Sequence, residues 1–187
     1  RGARRWFNGS VTPLEAAKAF MAALETKDAE RAASVCAEDI TIVKDGKSDY
    51  VISLPEEPSP TEERCAQEIQ RSLKEMCGVE LPIVRDDSSA PETCIVIGFL
   101  PYEANDKPNT VLEGLGEEGY LLRTSGKQVV VYGGRRGVLY AGYALLDALG
   151  IRWYTPKVTR TPVRSTVTLG PIDEVGMPAF EYREPFF

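Results

Sequence analysis

The segment from Arg136 to Leu149 limits the possible folds of this chain more than any other. Val138, Leu139, Tyr140, Ala141, Tyr143, Ala144, Leu145, Leu146, Ala148 and Leu149 leave it almost no polar side. A helix that is apolar all round needs cover on more than one flank. One flank can meet a sheet. The other calls for a further body, and a downstream domain is the natural candidate, leaving apolar surface around Tyr140, Tyr143 and Leu146.

Composition allows such burial. Hydrophobic residues make up 43% of the 187 residues and charged residues 27%, a balance that supports a core and speaks against wholesale disorder. No apolar run approaches the ~20 residues of a membrane span. The 22 Lys and Arg against 28 Asp and Glu give a net charge of −6, which argues against general nucleic-acid binding by phosphate neutralisation. The chain has no histidine, so imidazole bases, Ser-His or Cys-His couples and histidine-ligated metals are excluded. The opening Arg-Gly-Ala-Arg-Arg and the closing Phe186-Phe187 read as the ends of a fragment of a longer chain.

Periodicity divides the chain into unlike parts. Thr12-Pro13 followed by Leu14, Ala17, Phe20 and Leu24 predicts a helix over about 13–26, with a shorter one over 28–37. Residues 1–39 are thus expected to form a helical appendage. Ile40–Val43 and Tyr50–Leu54 are strand-like and flank the turn cluster Lys44-Asp45-Gly46-Lys47, a hairpin signal. Thr61 is the expected cap of a helix striped by Cys65, Ile69, Leu73 and Met76 and stopped at Gly78. Strands are expected at 82–85, 94–99, 119–124, 127–132, 151–154 and 166–169, with a loop over 101–118 and a link over 170–178. The body, residues 40–172, reads as α+β, a mixed α/β sandwich with helices packed on a sheet.

Few motifs look chemical. Gly114-Leu115-Gly116-Glu117-Glu118-Gly119 fits G-x-G-x-x-G, but no helix follows it and two glutamates would face a phosphate, so an ordinary turn is the better reading. Gly133-Gly134-Arg135-Arg136-Gly137 does lie between strand and helix, where amides and arginines can hold an anion. Its plainer reading is a sharp turn that lets helix and sheet approach closely. The acidic pairs Glu56-Glu57, Glu62-Glu63 and Glu117-Glu118 single out no glycosidase dyad. Cys36, Cys65, Cys77 and Cys94 contain no C-x-x-C. Cys65 and Cys77, on one helix, lie roughly 18 Å apart at ~1.5 Å per residue. Buried free thiols are the leading expectation, ahead of a disulfide at Cys36 or Cys94 and of a reactive thiol. No catalytic residue, cofactor or metal is assigned.

Two resemblances stand beside these readings. Residues from Pro13 to Ile42 are similar to the first two helices of the cone-shaped domains typified by nuclear transport factor 2, though the next stretch does not continue that pattern. A longer resemblance runs through Ser48-Asp49-Tyr50-Val51-Ile52, Ala66-Gln67-Glu68-Ile69 and Gly78-Val79-Glu80-Leu81-Pro82-Ile83-Val84. It continues through Ile95-Val96-Ile97-Gly98, Glu118-Gly119-Tyr120, Arg136 to Tyr143 and Leu149-Gly150-Ile151-Arg152-Trp153-Tyr154. This series resembles the N-terminal domain of α-glucuronidases and the second domain of bacterial chitobiases and β-hexosaminidases. The resemblance implies a non-catalytic accessory domain of a glycoside hydrolase, set before a (β/α)8 barrel that is its partner and carries the catalytic carboxylates. Residues 173–187 would begin that barrel. By the same match, Arg183 of Pro178-Ala179-Phe180-Glu181-Tyr182-Arg183 would contact sugar hydroxyls. An extracytoplasmic setting, periplasmic or secreted, is likewise implied. A carbohydrate-binding module stacking sugars on Trp153, Tyr154 and Tyr120 is the alternative, although a single Trp-Tyr pair more often anchors a core.

Overall fold

A computed structural model describes residues 39–85, 91–99 and 114–179. The helices expected before residue 38, Cys36 and Arg183 lie outside them.

The chain order is β1 (Ile40–Val43), β2 (Val51–Leu54), α1 (Pro60–Cys77), β3 (Ile83–Arg85), β4 (Cys94–Ile97), β5 (Tyr120–Ser125), β6 (Gln128–Gly133) and α2 (Gly137–Ala148). Then come β7 (Arg152–Thr155), β8 (Val158–Arg160), β9 (Val167–Leu169) and β10 (Asp173–Gly176). Six strands form one mixed sheet in the order β10-β5-β6-β4-β2-β3. Strands β3, β2, β4 and β6 run parallel, and β5 and β10 are antiparallel additions at one side. The architecture is α+β, as expected. Both faces of the sheet centre are buried, because all four residues of β4 are inaccessible.

Helix α1 starts at Ser59, not at the expected Thr61. The Ser59 hydroxyl accepts from the Glu62 amide and the Glu62 carboxylate accepts from the Ser59 amide, a reciprocal capping box with Pro60 at the first turn. Its stripe of Cys65, Ile69, Leu73 and Met76 is buried as the spacing predicts, and Gly78 closes the helix in the left-handed region at φ 75°. Burying each of the larger side chains contributes about 2 kcal/mol.

Helix α2 corrects one expectation. Its second flank is covered within this domain, by α1: Cys65 Sγ lies 3.4 Å from the Val138 carbonyl oxygen, and a Cβ on Gly142 would sit 2.4 Å from Cys65 Sγ. Leu146, expected at the surface, is 1% exposed, and only Tyr143, Asp147 and Ala148 are exposed along the helix.

Strand pairing departs from the sequence at three places. The Lys44–Lys47 turn forms, with Asp45 and Gly46 both at positive φ, but its strands part. β1 pairs with β9, Ile40 opposite Leu169, while β2 enters the main sheet. The expected link over 170–178 contains β10, which pairs with β5. A further strand, β8, folds back on β7.

Candidate functional site

The two glycine motifs meet each other. The amides of Arg136 and Gly137, at the start of α2, donate to the Glu117 carbonyl at 2.8 and 3.1 Å. The Gly134 amide donates to the Gly119 carbonyl at 3.0 Å, and the Arg136 guanidinium holds the Glu118 carboxylate at 3.1 Å. A Cβ on Gly134 would stand 2.0 Å from the Gly116 oxygen, and one on Gly137 would stand 1.9 Å from the Gly119 oxygen. The glycines therefore permit backbone-on-backbone packing between the 114–119 loop and the 133–137 turn. Amides that would cradle an anion are occupied by Glu117, so the structural reading of both motifs holds.

Between α1 and α2 lies a shallow surface depression lined by Cys65, Glu68, Leu139, Gly142, Tyr143 and Leu146, with no room for a water molecule inside it. Ligand sites usually enclose roughly 300–1,000 Å³, so this depression does not enclose a sugar. Its carboxylate, Glu68, is 7% exposed and bridges the guanidinium groups of Arg64 and Arg71. The spacing of one turn on either side along α1 brings the three together.

Three further carboxylates each meet one arginine. Glu63 meets Arg85 at 2.6 Å, Asp147 meets Arg152 at 2.8 Å and Asp173 meets Arg123 at 2.8 Å. Glu92 is held below its ordinary pKa by the Lys127 ammonium, the opposite of what a general acid needs. Among the described residues no group of His, Cys, Asp and Glu could hold a metal ion. Cys65, Cys77 and Cys94 are free thiols. Burial pushes Cys65 up to about 12, with the Glu62 charge adding to it, and pushes Cys94 up to about 11. Such thiols are inert at neutral pH.

The aromatic trio expected for sugar stacking divides. Tyr120 sits half-buried in the main sheet, its hydroxyl donating to Glu174, with burial and that carboxylate raising it to about 12. Trp153 and Tyr154 lie on the β7–β8 hairpin at 41% and 62% exposure. Trp153 packs edge-to-face with Tyr143, ring centroids 5.2 Å apart. All seven residues of these two strands are exposed, and no sequence signal marked β8, a strand of only three residues. Among the described residues, no helix is long and apolar enough to cross a membrane.

Compared with known proteins, residues 36–145 match the family model described as "Glycosyl hydrolase family 67 N-terminus". No curated protein matches the chain.

Proposed function

The chain belongs to the glycosyl hydrolase family 67 N-terminal domains, and from that membership we propose that it is a non-catalytic accessory domain beside a (β/α)8 barrel that cleaves the glycosidic bond. The family match over 36–145 carries this reading. Within the described residues, the two glycine motifs serve packing, burial keeps Cys65 and Cys94 protonated, and Glu63, Glu68, Glu118, Asp147 and Asp173 lie in ion pairs. Within the reading, the sheet corresponds to the second domain of chitobiases and hexosaminidases. Arg183 reaches sugar hydroxyls from the first barrel strand, and the protein works outside the cytoplasm.

The test is a glycosidase screen of the full-length hydrolase beside this 187-residue chain, on p-nitrophenyl glycosides that include glucuronide and N-acetylhexosaminide. An active full-length enzyme and a silent chain are expected. Turnover by the purified chain would refute the accessory role. Arg183→Ala in the full-length enzyme is expected to raise KM more than it lowers kcat, and an unchanged KM would remove Arg183 from the sugar.

A further inference from the structure

The main sheet has two buried faces, and among the described residues the two helices account for one. Pairing sets Ile52, Ile95 and Val129 side by side on the first face, where they join the core with residues of both α1 and α2. Their neighbours along each strand point the other way. On that second face Ser53 stands beside Val96 and Val96 beside Val130, while Leu121 of β5 lies opposite Tyr132. Ser53, Val96, Val130 and Leu121 are 0%, 0%, 1% and 5% exposed. Yet Val96, Val130 and Leu121 lie apart from the core that the helices share. A largely parallel sheet sealed in this way carries a layer on each face.

Burial fades toward the rim. Val84 and Val175 are half-buried, and Arg123 pairs with Asp173 at 2.8 Å on the far edge. The sealed centre therefore covers β2, β4, β6 and β5, roughly 14 Å across at ~4.8 Å per strand.

We infer that the helix expected over residues 13–26 lies across this second face, so that the segment before residue 39 is a layer of the domain. The inference stands apart from the accessory role, because the family match begins at residue 36. The stripe of Leu14, Ala17, Phe20 and Leu24 is apolar, and at ~1.5 Å per residue the helix is roughly 21 Å long, enough to cross four strands. Ser53, Val96 and Val130 are small, which suits Phe20 and Leu24 above them. A helix also satisfies its own backbone groups and asks no hydrogen bond of the face below. The Ser53 hydroxyl, which has no partner among the described residues, fits such a cover. Other stretches suit the face less well. Residues 86–90 read Asp-Asp-Ser-Ser-Ala, and 100–113 carry Pro101, Asn105, Pro108 and Asn109 without a helical period. Residues 180–187 set Glu181, Arg183 and Glu184 among their aromatics.

Cys94 reports on the second face, because it precedes Val96 by two residues in β4 and is fully buried. Cys65 reports on the first face, between α1 and α2. The experiment is iodoacetamide labelling of the folded 187-residue chain, read cysteine by cysteine by peptide mass spectrometry, beside the double variant Phe20→Asp, Leu24→Asp. Labelling of Cys94 at least tenfold faster in the variant, with Cys65 unchanged, is expected. An unchanged Cys94 rate in the variant would overturn the inference. Should both cysteines label faster together, the variant has lost its fold, and a photo-crosslinker in an otherwise unaltered chain decides. Phe20→p-benzoylphenylalanine is expected to capture the peptides of β4 or β6. Capture within residues 28–38 would overturn the inference in favour of helices that pack on each other. Capture of a second chain would overturn it in favour of a dimer, and no capture at all would overturn it outright.

Discussion

Gly137→Ala separates packing from propensity. Gly137 is the first residue of α2, where alanine should help: glycine costs a helix about 1 kcal/mol relative to alanine. The surroundings argue the other way. The added Cβ would lie 1.9 Å from the Gly119 carbonyl oxygen and 2.7 Å from its carbonyl carbon. Both are backbone atoms, so relief requires the 114–119 loop to move by more than an ångström rather than a side chain to turn. Overpacking of this kind costs roughly 1–3 kcal/mol. The displacement also stretches the bonds from Arg136 and Gly137 to Glu117 and from Gly134 to Gly119, each worth about 1 kcal/mol. Subtracting the propensity gain leaves a destabilisation of about 2–4 kcal/mol, or roughly 5–15 °C in Tm for a domain of this size. Urea denaturation should show a lower midpoint at an unchanged slope. Gly126→Ala is the control, because its Cβ would meet nothing and only the positive φ of 56° opposes it, for about 1 kcal/mol. A Gly137→Ala variant as stable as the parent, or more stable, would refute the backbone lock.

Buried polar groups set three further outcomes. Ser53, fully buried in β2, has a hydroxyl without a hydrogen-bond partner among the described residues, so Ser53→Ala should leave stability unchanged or raise it by up to about 1–2 kcal/mol; a clear loss would reveal a bond to the Ser53 hydroxyl. Glu68→Ala should cost about 1–2 kcal/mol and Glu68→Gln less, both differences shrinking in high salt because Arg64 and Arg71 are more than half exposed. Tyr50 and Cys65 are each raised to about 12 and Cys94 to about 11, all chiefly by burial. The folded state therefore holds protons that the unfolded chain releases, so stability is full below about pH 9 and falls as pH rises toward 12. Tyr50→Phe, which also removes the 2.8 Å bond to the Lys127 carbonyl, should flatten the upper part of that fall in pH-dependent melting curves. An unaltered slope would dissociate Tyr50 from it.

Local signals in the sequence were reliable where local forces decide. The apolar stripe and Gly78 stop of α1 stand because i, i+4 spacing and a left-handed glycine suffice. The Ser59-Pro60-Thr61-Glu62 box shifted the helix start by two residues, since Pro60 is accepted inside the first turn. Partners distant in sequence were illegible. The Lys44–Lys47 turn predicts a hairpin, yet β1 gains more by meeting β9, where Val43 and Val167 are both fully buried. The apolar length of α2 showed that two covers were needed, but not that α1 supplies one. At the candidate sites, the exposure of Trp153 and Tyr154 was not legible, since a Trp-Tyr pair more often anchors a core, and the separation of Tyr120 from them is set by strand order.

The two glycine motifs show why a phosphate-binding pattern must be judged by its amides. A cradle works because backbone donors at a helix start point at empty space that an anion can fill. Here the same donors at Arg136 and Gly137 point at the Glu117 carbonyl, which supplies the negative end of a peptide dipole in place of a ligand. The glycines are needed in either case, because close approach of backbone is needed in either case. Glycine spacing therefore reports the approach and not the approaching group. The strand after the first motif identifies that group: β5 continues directly from Gly119, pairs Tyr120 with Gly133, and so carries the loop onto the helix start as part of the same hairpin. A strand in that position leaves the anion site filled by the chain itself.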